Sequence, residues 1–210
     1  MDKDQIKTIY DSRYVKLYDM QYEEGAHYYM VSRKPKEHLP ALTPAGDYCG
    51  LVPDGVSCFV VIRVKGQEPR LLLNREYRYP TGQYLLSVPA GLLDPEDQAY
   101  EDAAVRAAKR ELFEETGISF EEGDEARLVN PFVFSTPGLT DESNALVYLS
   151  INRDSLPRIS HAGAVGSEKF QGYELLTKKE AEACLLRGTD DRGIYYPVYT
   201  WAALMFFMGV

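Results

Sequence analysis

The sequence predicts an α/β protein preceded by a small antiparallel β-sheet subdomain. Three observations predict it: a pair of short strand-like segments at the start of the chain, two long apolar runs in the middle, and an alanine-rich stretch with helical spacing after them. The loop at 34–54 contains four prolines and two glycines, which is typical of a boundary between structural units. We therefore expect a β subdomain over 1–50 and a main domain over 51–210.

The first two segments are predicted to form a β-hairpin. Apolar and polar side chains alternate loosely over 14–23, and a second strand follows at 27–33 after a Glu-Glu-Gly-Ala turn. A few short strands cannot bury both faces of a sheet by themselves. We therefore expect residues 1–50 to take part in a homodimer interface.

The middle of the chain is predicted to form strands followed by one helix. The runs at 56–64 and 71–79 are typical of paired buried strands, and 84–88 is a further short strand. Alanines and a leucine then recur at helical spacing over 99–116. Gly117 follows directly, and glycine is the residue that most readily ends a helix.

The C-terminal part alternates between strands and helices as well. Strands are predicted at 126–134 and 145–151, on either side of a loop at 135–144 that contains proline and glycine. Helices are predicted at 178–187 and 197–207.

The composition excludes several classes of function. With 23 basic and 32 acidic residues the net charge is −9, which argues against a nucleic-acid or anionic-membrane surface. The three cysteines and three histidines are scattered, which argues against a zinc site and a disulfide framework and favours a reducing cytoplasm. The polar N-terminus does not resemble a signal peptide, and the apolar stretch at 201–210 is shorter than the roughly 20 residues that a bilayer requires.

Three glutamates near the end of the predicted helix carry the functional argument. Glu111, Glu114 and Glu115, named the carboxylate cluster below, have the i, i+3, i+4 spacing that places side chains on one helix face. Like charges destabilise a helix, and the macrodipole disfavours anions at its C-terminal end. A hard divalent cation such as Mg²⁺, which prefers carboxylate oxygens, would resolve both problems. The alternative interpretation is a solvated acidic helix face.

The residues around the carboxylate cluster resemble the signature of the Nudix hydrolases. In that signature a glycine and a first acidic residue precede Arg-Glu-aliphatic-any-Glu-Glu-any-Gly-aliphatic. The second half is matched at every fixed position, by Arg110, Glu111, Leu112, Glu114, Glu115, Gly117 and Ile118. The resemblance implies a pyrophosphohydrolase with an α/β/α sandwich built on a mixed sheet.

The first half of the signature departs from the usual spacing. Gly91 lies nineteen residues before Arg110, which is five more than the family's fourteen. When the family's spacing is counted back from Arg110, the first acidic residue of the signature falls on Asp102, next to Glu101. We interpret the extra residues as a longer loop or an additional helical turn within 92–101.

Flanking segments resemble those of ADP-ribose pyrophosphatases. They are the opening of the signature at 88–94, a Ser-Thr-Pro-Gly loop at 135–142 and a strand segment at 74–80. The resemblance implies hydrolysis of ADP-ribose to AMP and ribose 5-phosphate. It also implies a set of substrate contacts: Arg78, Arg33, Tyr28, Pro137, Gly138 and Leu139.

The resemblance further implies metal and catalytic roles. The carboxylate cluster would hold Mg²⁺, with Mn²⁺ as a substitute and the Ala90 carbonyl as a further ligand. The catalytic set is Glu168, Glu115 and Arg110, in which Arg110 pairs with a carboxylate of the motif. Because glutamates bound to a metal are poor bases, we expect the general base to be Glu168, on the glycine-containing loop at 159–171 that could move as a lid. Glu174 is the nearby alternative.

Three other functions stay open at this point. A Nudix hydrolase could act on another nucleoside diphosphate derivative, such as a diadenosine polyphosphate or NADH. An ADP-ribose sensor without activity is a second possibility, although such regulators usually carry a DNA-binding domain and a degraded signature. Isopentenyl diphosphate isomerase is a third, although it needs several metal-binding histidines.

Overall fold

A computed structural model describes residues 1–163 and 168–210 of the chain, which fall into two compact units. The first unit comprises 1–54 together with 132–144, and the second comprises 55–131 together with 145–210. The boundary expected at residue 50, between the β subdomain and the main domain, stays a prediction. The segment 132–144 belongs to the first unit, which the sequence did not indicate.

The first unit is built on an antiparallel sheet of three described strands: β1 (Ile6–Asp11), β2 (Lys16–Glu23) and β3 (Ala26–Ser32), in that spatial order. Gly25 turns the chain between β2 and β3 with a φ of 70°, a conformation that favours glycine. The core of this unit consists of Ile6, Tyr18, Met20, Met30 and Leu39. The sequence missed β1 because only its first residue is buried, so the strand has no apolar alternation. Short 3-10 turns follow at Lys36–His38, Pro40–Leu42 and Ala45–Gly50.

The larger sheet is mixed and has seven strands in the described part of the chain. The strands are β4 (Gly55–Val64), β5 (Arg70–Arg78), β6 (Gln83–Ser87), β7 (Ala90–Leu92), β8 (Glu125–Phe134), β9 (Ser143–Arg153) and β10 (Phe170–Leu176). Their spatial order is β10-β5-β4-β9-β8, while β6 pairs with β5 and β7 pairs with β4. Strand β5 is therefore bordered by β4, β6 and β10.

Helices cover both faces of this sheet because the buried side chains of β4 alternate. Val56, Cys58 and Val60 pack in the cluster that includes α1 (Ala103–Thr116). Phe59 and Val61 point the other way and pack in the cluster that includes the last two helices. These helices are α2 (Lys178–Arg187) and α3 (Val198–Met208). The predicted α/β class with a separate small antiparallel sheet at the N-terminus is confirmed.

Helix α1 begins four residues later than predicted. Asp97–Ala99 forms a 3-10 turn, and Tyr100 is extended, with φ −117° and ψ 149°, so the α-helix cannot run through it. At the other end, Gly117 has a φ of 70° and donates its N–H to the Phe113 carbonyl, as predicted for a helix cap.

Within 1–163 and 168–210, no helix is long and apolar enough to cross a membrane. The apolar C-terminal stretch forms α3, and Ala203, Leu204 and Phe207 on that helix are fully buried.

A buried arginine ties the edge of the sheet to the loop before α3. Arg75 on β5 is 1% exposed, and its guanidinium bonds to Glu174 Oε1 at 2.9 Å, Asp190 Oδ2 at 2.6 Å and Asp191 Oδ1 at 2.5 Å. The pKa of Asp190 lies below its ordinary value: burial opposes the shift, but the Ile194 N–H and Arg75 outweigh it. Removing one partner from such a group leaves a buried charge uncompensated.

Replacing Arg75 by Met should lower the free energy of unfolding by about 3–5 kcal/mol, since Asp190 would stay buried without its cation. The matched control is Arg192→Met. Arg192 is exposed and its Nη1 donates to Gln171 Oε1 at 3.0 Å, so the loss of its side chain should cost less than about 1 kcal/mol. Urea unfolding measures both, and equal small losses would contradict the assigned role.

Candidate active site

The C-terminal half of α1 carries the carboxylate cluster on one side of the helix. The Glu111 and Glu115 side chains are buried, and the residues are 5% and 3% exposed, whereas Glu114 is half-buried. This face of the helix packs towards the sheet next to β7 and β4. The predicted grouping of the three glutamates on one helix face is therefore present in the structure.

Arg110 fixes the positions of two of these carboxylates. Its Nη1 donates to Glu111 Oε1 at 2.7 Å and to Glu114 Oε2 at 3.0 Å. Its Nη2 donates to the Leu92 carbonyl at 2.9 Å and to Asp97 Oδ2 at 3.2 Å. The guanidinium thus joins the turn before α1 to the cluster, and Arg110 acts through the carboxylates that it holds.

In the structure, Asp97 and not Asp102 occupies the position of the motif's first acidic residue, next to Arg110. Asp97 is 8% exposed and bonds to Arg110, whereas Asp102 is exposed and makes no side-chain cap bond at the start of α1. The expectation from counting back was therefore wrong. When the family's spacing is instead counted forward from Gly91, the first acidic residue falls on Asp97. The five extra residues therefore lie after Asp97 and not before it.

Strand β5 holds the third glutamate of the cluster in place. Asn74 Nδ2 donates to Glu115 Oε2 at 2.6 Å, and the Ala90 N–H donates to Glu115 Oε1 at 3.1 Å. Ala90 thus contacts the cluster through its N–H, whereas the resemblance implied a role for its carbonyl, which stays a prediction. Asn74 was missed by the sequence analysis.

Two further side chains lie on the same face of β5, at alternate positions after Asn74. Glu76 is 9% exposed, and Arg78 Nη2 bonds to its Oε2 at 2.6 Å. The recurrence of polar side chains at every second position, Asn74, Glu76 and Arg78, was the available signal for this polar row. Arg78, predicted to bind a phosphate, therefore already has a carboxylate partner on its own strand.

Burial and crowding disfavour the charged forms of these carboxyls. Burial raises the pKa of Glu111 to about 7, although Arg110 opposes the shift and Glu114 and Glu168 add to it. Burial also raises the pKa of Glu115 well above its ordinary value, against the Ala90 hydrogen bond, and Glu76, Glu111 and Glu168 raise it further. Burial and the neighbouring carboxylates therefore disfavour the charged forms of Glu111 and Glu115 more than Arg110 and the Ala90 hydrogen bond favour them.

Gly91 leaves room for one of the buried carboxylates. A Cβ at position 91 would lie 2.0 Å from Glu111 Oε1 and 2.4 Å from Glu111 Oε2, which is far inside van der Waals contact. Any side chain larger than hydrogen would displace the Glu111 carboxylate. The glycine that precedes the motif thus acts as a cradle for a predicted metal ligand.

The donor chemistry of the cluster fits a divalent cation, but its side chains do not converge around a point. Among residues 1–163 and 168–210, no three His, Cys, Asp or Glu side chains form a group that could hold a metal ion. The carboxylates do not converge because Arg110 donates hydrogen bonds to Glu111 and Glu114, while Asn74 and the Ala90 N–H donate to Glu115. The grouped carboxyls nevertheless form an oxygen-only donor set, which is what Mg²⁺ prefers.

The two candidate bases lie in different surroundings. Glu168 is close enough to the cluster for its charge to raise the pKa of Glu111, Glu115 and Glu76. Glu174 instead bonds to Arg75, which neighbours Asn74 in sequence and so points to the opposite face of β5. Residues 164–167 of the predicted lid loop lie outside the described residues.

The other predicted substrate residues lie together in the first unit. The Tyr28 hydroxyl donates to the Gly138 carbonyl at 2.6 Å, and the Leu139 carbonyl accepts from the Val31 N–H at 3.0 Å. Arg33 Nη2 lies 3.3 Å from Glu142 Oε1. A cavity of about 220 Å³ in this unit is lined in part by Tyr28 and Pro137.

Comparison with known proteins identifies the kind of domain. A sequence model described as NUDIX domain matches residues 52–197. An ADP-ribose pyrophosphatase of Saccharomyces cerevisiae is 35% identical over 107 residues, which is 50% of this chain and 41% of that relative. An ADP-sugar pyrophosphatase of Mus musculus is 30% identical over 148 residues, which is 68% of this chain and 64% of that relative. The chain thus spans less than two thirds of the length of these relatives.

A solved structure supports the fold assignment. The crystal structure of an ADP compounds hydrolase aligns with a TM-score of 0.56 over 97% of this chain and 90% of that chain. The sequences are 18% identical in this alignment, so the likeness concerns the fold alone.

Replacing Gly91 by Ala should weaken divalent-cation binding because the new methyl group would displace the Glu111 carboxylate. We expect the Mg²⁺ concentration at half-maximal thermal stabilisation to rise about tenfold or more. The matched control is Gly46→Ala, since a Cβ at position 46 meets no atom within 4 Å. An unchanged Mg²⁺ midpoint in Gly91→Ala would contradict the cradle role.

Proposed function

The chain belongs to the NUDIX domain family, and from that premise we propose that it hydrolyses the pyrophosphate bond of ADP-ribose or a related nucleoside diphosphate sugar. The products are AMP and a sugar phosphate, which for ADP-ribose is ribose 5-phosphate. The cofactor is Mg²⁺, and Mn²⁺ can substitute for it. The substrate class is supported by the names of the relatives, an ADP-ribose pyrophosphatase and an ADP-sugar pyrophosphatase.

The observation that carries the proposal is the carboxylate cluster, two members of which, Glu111 and Glu115, are buried. Burial raises the pKa of Glu111 and Glu115, and the charges of neighbouring glutamates add to the shift. A structural role alone does not account for three glutamates in this place, because apolar side chains of similar volume would pack there without the charge repulsion. A site that receives a cation and a phosphorylated substrate does account for them.

Glu111, Glu114 and Glu115 would hold the cation, with the Ala90 carbonyl as a further ligand. When bound, the cation supplies charge that neutralises the phosphate oxygens and lowers the pKa of a water molecule. Arg110 keeps the Glu111 and Glu114 carboxylates in place through its bonds at 2.7 and 3.0 Å.

Glu168 is the general base in this proposal. It accepts the proton of the water that attacks phosphorus, which requires a carboxylate whose oxygens are not occupied by metal. Its support is its place beside the cluster, where its charge acts on Glu111 and Glu115. Arg78 contacts a phosphate through its guanidinium, and its bond to Glu76 orients the side chain.

The first unit would bind the nucleoside part of the substrate. In the proposal Tyr28 stacks on the adenine, and Arg33 contacts the terminal ribose or phosphate. The segment of Pro137, Gly138 and Leu139 shapes the pocket. The bonds from Tyr28 to Gly138 and from Val31 to Leu139 support this role, because they fix the segment against β3.

A panel of substrates tests the proposed reaction. ADP-ribose, ADP-glucose, NADH and diadenosine polyphosphates are incubated with Mg²⁺ or Mn²⁺, and AMP and phosphate-bearing products are quantified. We expect ADP-ribose or another ADP-sugar to be cleaved fastest, and Glu115→Gln to lower the rate by about 100-fold or more. The matched control is Glu182→Gln on the exposed side of α2. Equal rates for the two variants would contradict the site.

Exchanging the two candidate bases for glutamine tests the role of Glu168. Glu168→Gln should lower kcat by about 100- to 10,000-fold with little change in KM, since a general base acts in the transition state. Glu174→Gln should keep kcat, because Glu174 bonds to Arg75 on the opposite face of β5. A larger kcat loss in Glu174→Gln than in Glu168→Gln would move the role to Glu174.

The protein is further proposed to be a cytoplasmic homodimer whose interface includes the first unit. Exposed apolar side chains on its strands support this: Ile9, Tyr10 and Tyr29 are 52%, 57% and 54% exposed. Light scattering at micromolar concentration should give twice the chain mass of 23.8 kDa. A monomer under these conditions would rule the dimer out.

A further inference from the structure

His161 contacts the end of the helix that carries the carboxylate cluster. Its Nδ1 lies 2.6 Å from the Glu115 carbonyl oxygen, and since a carbonyl only accepts, Nδ1 is the donor. Glu115 O is one of the last carbonyls of α1, which the helix leaves without an internal partner. The other ring nitrogen, Nε2, is buried and has no hydrogen-bond partner among the described residues. Among the described residues, the hydrogen bond of the ring is therefore the one that Nδ1 donates to the Glu115 carbonyl.

The residues beside His161 contact the same helix end. The Ser160 N–H donates to the Thr116 carbonyl at 2.8 Å. The backbone of Gly163 approaches α1 so closely that a Cβ there would lie 2.5 Å from the Glu114 carbonyl oxygen. Residues 160–163 thus cover the terminal carbonyls of the turn that carries Glu114 and Glu115.

The opposite side of the His161 ring contacts the start of β10. His161 stacks on Phe170 with ring centroids 4.6 Å apart and an interplanar angle of 15°. Phe170 is paired with Glu76 on β5, and the Lys169 carbonyl accepts from the Tyr77 N–H at 2.8 Å. Glu168 precedes these two residues directly. One imidazole therefore connects the end of α1 to the backbone that carries Glu168.

We propose that His161 is a positioning residue that sets the place of Glu168 relative to the carboxylate cluster. The inference rests on the proposed function, in which Glu168 is the base. A base must lie within hydrogen-bond reach of the water that it deprotonates, and a displacement of about 1 Å can cost about 100-fold in rate. Histidine suits this place because its ring offers a donor for Glu115 O and a flat face for Phe170.

Two variants separate the contacts of the ring. His161→Phe keeps a flat ring for Phe170 but removes the donor to Glu115 O, and His161→Asn keeps an amide donor but removes the ring. His161→Ala removes both. We expect His161→Ala to lower kcat by about 10- to 100-fold with KM and the Mg²⁺ midpoint within about twofold, and the other two variants to lose less.

A double-mutant cycle with Glu168→Gln distinguishes positioning from general stabilisation of the fold. If His161 acts through Glu168, His161→Ala should have no further effect on kcat in the Glu168→Gln background. An undiminished loss of kcat in that background would overturn the proposal, as would an unchanged kcat in the single variant. Should His161→Ala fail to fold, His161→Phe takes its place in the cycle, with the same two outcomes.

Hydrogen exchange gives a readout that does not depend on activity. The Ser160 and Tyr77 amides should exchange about tenfold faster or more in His161→Ala, while the Gly188 amide, bonded to Cys184 O at 3.0 Å, should not change. Unchanged exchange at Ser160 and Tyr77 would overturn the proposal. A wild-type protein that cleaves none of the panel substrates would instead refute the proposed function, and the exchange data would still decide whether His161 joins the two elements.

Discussion

The crowding of negative charge at the C-terminal end of α1 is the constraint on which the site depends. Glu111, Glu114 and Glu115 project from a helix end whose own dipole disfavours anions. Arg110 offsets part of this charge, and Asp97 in turn bonds to Arg110. Burial, with the charges of neighbouring glutamates adding to it, keeps the pKa of Glu111 and Glu115 above the ordinary range. We expect this arrangement to cost stability in the isolated protein and to favour the binding of a cation.

Strand β5 supports that helix end, and its two faces contact different groups. One face presents Asn74 and Glu76 towards the cluster, where Asn74 bonds to Glu115. The other face buries Arg75, whose partners include Glu174. Strand β5 thus lies between the candidate site and the ion pairs of Arg75. Because side chains alternate along β5, Arg75, the partner of Glu174, points away from the cluster.

The sequence predicted those features that depend on local pattern. The apolar run at 56–64 predicted a buried strand, and the spacing of the glutamates predicted their common helix face. Long-range contacts could not be predicted in this way. The identity of Asp97 as the partner of Arg110 depends on how the extra residues fold, and the role of Asn74 depends on which strand packs beside α1. Strand β1 was missed because it buries only Ile6.

Direct measurement of cation binding tests the central claim that the carboxylate cluster on α1 forms a cation site. Mn²⁺ is titrated into the protein without substrate, and the free ion is followed by electron paramagnetic resonance. The account predicts saturable binding by the wild-type chain and loss of that binding when Glu111, Glu114 and Glu115 are together replaced by glutamine. Equal Mn²⁺ binding by the wild-type and the triple variant would contradict it.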